Sequence, residues 1–157
     1  MATLITDVKV ILTAPEGINL VVVKVETVNP IRSFKGRGAD YFVQTRVRRG
    51  EGGPLVCASA GNFGQAMAYA CKLLGKGCTV VMPATSAAVK IEAVRSHGAR
   101  VDLLDTRQKP RATRVAELAA EDPQAYVASA FDDPLVIAGN ASLGRELAAA
   151  LDLDHVL

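Results

Sequence analysis

From residue 52 onward the chain alternates short apolar runs with helical periodicity, and this alternation narrows the fold more than any other feature. "PLVCAS" (54–59), "GCTVVMP" (77–83), "RVDLLD" (100–105) and "AYVAS" (125–129) are bounded by turn residues and read as strands buried on both faces. Residues 64–75 put Met67, Ala70, Cys71 and Leu74 on one helical face. Residues 86–98 open with Ser86 and end at Gly98 as a cap pair, and residues 111–121 and 142–151 carry two further helical patterns. Strands and helices at this spacing call for parallel pairing through crossover helices. The expected fold class is α/β, an open parallel sheet flanked by helices in three layers.

The first fifty residues differ in kind. "VKVILT" and "NLVVVKVE" flank "APEG", a turn signal, and predict a strand pair. Ser33 then caps a helix expected to run to about Arg48, with Phe42 and Val43 turned inward.

Composition removes several classes of function. Half the residues are hydrophobic but only 4% are aromatic, so the core must be built from Ala, Val and Leu, which suits helices lying close on a sheet. The net charge of +2 comes from mixed signs without a basic block, which argues against nucleic acid as a partner. Cys57, Cys71 and Cys78 are odd in number and lack CxxC spacing. They predict buried reduced thiols, a cytoplasmic setting and no metal centre. Residues 52–71 carry no charge, yet Gly52, Gly53, Pro54, Ser59, Asn62 and Gln65 interrupt the run, so no membrane span is expected. Asp7 and Lys9 fall where the apolar part of an export leader would lie, and no leader is expected either.

Two motifs carry chemistry. In "NPIRSFKGRGADYF" (29–42), Lys35 stands between an aromatic residue and Gly-Arg-Gly. It lacks the GxxxxGK[ST] frame of a nucleotide phosphate loop, and Gly75-Lys76, followed by Gly77, reads as a turn before a strand. "ASAGNFGQ" (58–65) lies between a buried strand and a helix, where free N–H groups form an anion site, but its glycines do not follow GxGxxG.

Taken together, "NPIRSFKGRGA", "SAGNFGQAMAYA" and "VVMPATSAAVKIEAVRSHGARV" resemble the fold type II pyridoxal phosphate enzymes, the family of threonine and serine dehydratases, serine racemase and cysteine synthase. The resemblance runs from about Val23 to Leu151, and "FDDPLVIAGNASLGREL" is similar to the dehydratase branch. It implies that Lys35 holds pyridoxal 5'-phosphate and takes the Cα proton of an amino acid. It implies that Phe34 backs the cofactor ring, with Gly36 leaving room beside it, and that Asn62 hydrogen-bonds the ring's phenolic oxygen. Ser59, Ala60, Gly61, Asn62 and Phe63 are implied to receive the substrate carboxylate. The residue types fit, because an amine attacks an aldehyde only when neutral, and a desolvated lysine reaches that state readily.

Racemising members place a second serine in this loop, and Ala60 stands there instead. An alanine moves no proton, so the resemblance implies one-sided β-elimination from L-serine or L-threonine to a 2-keto acid and ammonia. Gly139-Asn140-Ala141-Ser142 replaces the family's Gly-Gln-Gly-Thr. Arg37 is expected to pair on its own helix, His97 to end a helix, His155 to be structural or exposed, and residues 107–114 to form a solvated loop.

The resemblance also divides the chain. Residues 1–51 correspond to part of a larger domain carrying the cofactor lysine, 52–151 to a smaller α/β domain, and 152–157 to the start of a return strand. The family's glycine-rich phosphate loop follows that strand, so the expected enzyme needs the C-terminal half of the family fold, with a homo-oligomer or a complementary C-terminal chain as partner. Two classes stay open: a pyridoxal phosphate-dependent lyase, or a non-catalytic α/β module that binds a small molecule or a protein.

Overall fold

The computed structural model describes residues 25–151. The four apolar runs form β1 (Leu55–Ala58), β2 (Cys78–Pro83), β3 (Arg100–Leu104) and β4 (Tyr126–Ala128). Their order across the sheet is β3-β2-β1-β4, with every neighbouring pair parallel. Leu55 stands opposite Cys78 on one side and Tyr126 on the other. Among the described residues five helices accompany them: α1 (Lys35–Arg48), α2 (Asn62–Leu73), α3 (Ala88–Arg95), α4 (Arg111–Glu121) and α5 (Pro134–Leu151).

Successive strand side chains point to opposite faces, so the sheet feeds two cores. Leu55, Cys57, Val80 and Met82 join Phe42, Met67, Val94 and Val136 from α1, α2, α3 and α5 on one face. Val56 and Val81 meet Val115 and Leu118 of α4 on the other. The sheet is thus the middle of three layers, as expected. With few aromatic residues, the packing falls to small ones. Ala66, Met67, Ala68, Ala70 and Cys71 are all buried, because the sheet, α1 and α3 each cover a side of α2. Cys57, Cys71 and Cys78 are free and buried. Burial pushes the Cys57 thiol up to about 12, which keeps it protonated and inert.

Helix α1 packs on α5 backbone to backbone. A Cβ on Gly139 would lie 2.6 Å from the Arg37 carbonyl oxygen and 2.7 Å from Gly38 Cα, and one on Gly38 would lie 2.7 Å from the Val136 carbonyl oxygen. Only residues without side chains permit this approach. Asn140 Oδ1 accepts the Gly38 N–H at 3.1 Å, so the replaced Gly-Gln-Gly-Thr segment contributes a helix-to-helix hydrogen bond.

Several local expectations are corrected. The last helix begins at Pro134, not at residue 142, since Asp133 Oδ1 accepts the N–H groups of Leu135 and Val136 and proline suits the first helical position. Ser86 does not cap α3. Its N–H donates to the Pro83 carbonyl in a turn, and its buried Oγ has no partner among the described residues. Gly98 does close that segment, at φ +79. In 107–114, Arg111 to Arg114 belong to α4, and Arg114 is held by Asp102 and Glu117. The predicted strand pair, apart from Val25 and Glu26, lies outside the described residues, as do His155 and the expected return strand.

Gly139→Ala should lower unfolding stability by about 1–3 kcal/mol, because backbone atoms of α1 must move. Gly144→Ala, on the same helix with open space around it, should raise stability by up to about 1 kcal/mol. Urea melts of the two variants check this, and the reverse ranking would contradict the crossing.

Candidate active site

Strand β1 is followed by α2 on one face of the sheet, whereas β3 reaches β4 through α4 on the other. The strand order therefore reverses between β1 and β4, and a crevice forms outside their carboxyl ends, where open α/β sheets bind ligands. A cavity of about 420 Å³ opens at this point. It is bounded by Ala58 to Phe63 after β1, Ala130 and Phe131 after β4, Ser33 to Lys35 at the start of α1, and Arg111 of α4.

Lys35 reaches the cavity through a tightly determined loop. Asn29 Oδ1 accepts the N–H groups of Ile31 and Ser33, while its Nδ2 donates to the carbonyls of Glu26 and Ser33. This wrapping holds Arg32 in the left-handed region at φ 54, a strained conformation for a residue with a side chain. Ile31 is buried, and Ser33 Oγ accepts the Lys35 N–H at 3.3 Å, but the N-cap position of α1 is Phe34, one residue later than expected, and it makes no side-chain cap. Lys35 Nζ then lies 3.5 Å from the Ala130 carbonyl oxygen and 4.9 Å from the centre of the Phe34 ring. It is half-buried and has no carboxylate partner among the described residues. Gly36 serves a purpose other than the one expected. A Cβ there would meet Ile31 Cδ1 at 2.6 Å, so its missing side chain accommodates the core rather than the cavity.

The second motif forms the opposite wall. Ser59 Oγ accepts the Gly61 N–H at 3.2 Å and shapes the turn. Gly64 seats α2 on it, since a Cβ there would come within 2.9 Å of Val80 Cγ1 and 3.1 Å of Ser59 Cβ. The N–H groups of Asn62, Phe63 and Gly64 have no acceptor among the described residues. Gln65 is the first to bond back, to the Gly61 carbonyl at 3.4 Å. The Asn62 side chain is exposed and unpartnered there, whereas the Phe63 ring is buried in the core, so that residue offers the cavity only its backbone. Phe34, Lys35, Ser59, Ala60, Gly61, Asn62 and Phe63 all line this one cavity. Sequence reasoning missed Ser33, Arg111, Ala130 and Phe131. The last two lie just past a parallel strand, a rule that needs the strand order before it can be applied.

Arg37 lies two residues beyond Lys35 and does not pair on its own helix. Its five N–H donors are taken by Glu26 (2.9 and 2.9 Å), Glu146 (2.6 and 2.8 Å) and Ser142 Oγ (3.0 Å). Hydrogen bonds to Glu146 and Glu26 hold the guanidinium charged, well above the ordinary arginine range. Arg37→Lys cannot reproduce two bidentate pairs, and it should cost about 2 kcal/mol of stability. A denaturant melt would show the loss, and an unchanged midpoint would mean that the bracket carries no weight.

The donor set fits an aldehyde cofactor that binds through an amine. A lysine free of carboxylates faces the cavity, an unpartnered amide side chain and open backbone N–H groups face it across the space, and the volume lies within the roughly 300–1,000 Å³ of small-molecule sites. A family model described as pyridoxal-phosphate dependent enzyme matches residues 10–157. The L-serine dehydratase/L-threonine deaminase of Homo sapiens is 36% identical over 131 residues, which is 83% of this chain and 40% of that protein. Among solved structures, the processed form of threonine deaminase isoform 2 from Solanum lycopersicum has 34% identity and a TM-score of 0.71, covering 82% of this chain and 35% of that one. A pyridoxal 5'-phosphate-dependent aspartate racemase has 33% identity and a TM-score of 0.74, covering 82% and 39%. The chain thus spans 40% or less of the length of these relatives. Motifs, sheet order and family match agree, and the chain belongs to the pyridoxal-phosphate-dependent enzyme family.

Proposed function

We propose that these residues form the amino-acid-binding half of an ammonia-lyase that eliminates water from a β-hydroxy amino acid, giving a 2-keto acid and ammonia. The observation that carries this reading is the meeting of Lys35 Nζ, the Asn62 side chain and the open N–H groups of α2 on one cavity. The dehydratase and deaminase relatives support the reaction class. The remainder of the relatives' fold, as further chain or as a partner chain, completes the site in this reading. Three free, buried thiols support a reducing cytoplasm as the setting.

Lys35, beside Phe34 and Asn62, would hold pyridoxal phosphate, which when bound would supply an electron sink for the pair left at Cα. The substrate carboxylate lies against the N–H groups of Asn62 and Phe63, where the helix dipole adds to the hydrogen bonds. Ser59 and Gly61 hold that turn in shape. Lys35 removes the Cα proton, and its contact with the Ala130 carbonyl keeps Nζ on one side of the cavity. The Cβ–O bond breaks as the hydroxyl leaves. Ala60 presents a methyl group and no exchangeable proton, so return of a proton to the opposite face is slow.

The test uses the full-length protein with pyridoxal phosphate and L-serine or L-threonine. Keto acid and ammonia should appear in equal amounts, D-serine should lag far behind, and Lys35→Ala should reduce turnover by about a hundredfold or more. Binding of the amino acid without keto acid would favour a non-catalytic module, and D-serine outpacing pyruvate would contradict one-sided chemistry.

A further inference from the structure

We infer that Asn29 is the positioning residue for the Lys35 amine, and that it acts by holding Arg32 in a left-handed conformation that an arginine does not keep unaided. This deepens the proposed function and rests on its role for Lys35, although neither Asn29 nor Arg32 lines the cavity.

The helix crossing at Gly38 and Gly139 fixes α1 from Gly38 onward. Lys35 lies before that point, in a first turn whose N–H groups have no acceptor inside the helix. Those donors depend on Ser33. Its Oγ accepts the Lys35 N–H at 3.3 Å, and its carbonyl accepts the Gly36 N–H at 3.2 Å. Ser33 is buried, and the Asn29 amide grips its backbone on both sides. Asn29 Oδ1 accepts the Ser33 N–H at 3.2 Å, while Nδ2 donates to the Ser33 carbonyl at 3.0 Å. Contacts therefore run from Asn29 through Ser33 to the first turn of α1, and so to the amine that meets the Ala130 carbonyl at 3.5 Å.

Between Asn29 and Ser33 the backbone has to fold back on itself. The Arg32 N–H donates to the Asn29 carbonyl at 2.9 Å, and Pro30 fixes the second position of that turn. Arg32 completes the reversal at φ 54, and among the described residues it alone has a positive φ without being a glycine. Its side chain supplies no reason for this, since it is exposed and makes no hydrogen bond or ion pair among the described residues. A residue with a Cβ leaves the left-handed region unless its surroundings over-determine it, and the relaxed conformer gains by about tenfold or more. Ile31, buried against Gly36, anchors the loop but cannot orient the Ser33 peptide. That orientation falls to the Asn29 amide. Glycine enters the left-handed region at no steric cost, so a glycine at position 32 should make Asn29 dispensable. This dependence separates positioning from a general loss of stability.

The test uses the full-length protein, Asn29→Ala, Arg32→Gly and the double variant. Lysines are first labelled without cofactor by a neutral amine-reactive ester, and each site is followed by peptide mass spectrometry. Asn29→Ala should label Lys35 about tenfold faster, because the amine leaves the Ala130 carbonyl, while Lys72, Lys76 and Lys90 keep their rates. Arg32→Gly alone should leave the Lys35 rate as it is and raise the urea midpoint. The double variant should return Lys35 to the rate of the parent protein. An unchanged Lys35 rate in Asn29→Ala, a lowered midpoint in Arg32→Gly, or a double variant as fast as Asn29→Ala would overturn the inference. Asn29→Ala that folds only together with Arg32→Gly would support it. With pyridoxal phosphate and L-serine, Asn29→Ala should then lower kcat by about tenfold with KM little changed, and Arg32→Gly should restore it. The expected labelling pattern without keto acid from the parent protein would support the inference and refute the lyase reading. Keto acid from the parent, with Lys35 labelling indifferent to both substitutions, would overturn the inference and leave the proposed function standing.

Discussion

Helices α1 and α5 touch backbone to backbone at Gly38 and Gly139, and the place of Lys35 follows from that contact. Lys35 lies three residues before Gly38, while Ala130 and Phe131 lie just before α5 begins, so locking the two helices brings Lys35 Nζ to the Ala130 carbonyl. The glycines set the distance between the axes. Arg37 sets their relative slide, since Ser142 and Glu146 lie further along α5 on the side it reaches. A larger residue at either glycine would move the lysine away from the mouth of the sheet. Stability and chemistry are coupled here through packing.

The parallel sheet supplies the other half of the arrangement. Because β1, β2 and β3 run in the same direction, the helices that follow β1 and β3 begin at one edge, and their N-termini and Lys35 share a crevice. Positive potential collects there from backbone and side chains together. Small residues on α2 let that helix lie deep between the sheet and α1, which fixes the Ser59 to Gly64 turn against Val80. An anion is the natural complement to such an edge.

Much of this was legible in the residues. The apolar runs at 54–59, 77–83, 100–105 and 125–129 are strands within a residue or two of their expected limits, because each is a short apolar run between polar or turn-forming stretches. The two motifs line one cavity. What stayed hidden depends on partners distant in sequence. Gly36 reads as a gap beside a ligand until Ile31 is seen filling it, and Arg37 reads as a surface residue until Glu146 arrives from 109 positions away. The early start of α5 was hidden by Gly139 and Asn140, which look like breakers but are contact residues of a helix crossing. Asn29 carries no periodic signal at all, yet its side chain organises the loop before Lys35.

The claim on which the rest depends is that Lys35 is the amine meant for the cofactor. Borohydride reduction of the full-length protein with pyridoxal phosphate, followed by peptide mapping, tests it most directly. One labelled peptide containing Lys35 is the predicted result. A label on Lys72, Lys76, Lys90 or Lys109 with Lys35 unmodified would contradict the account.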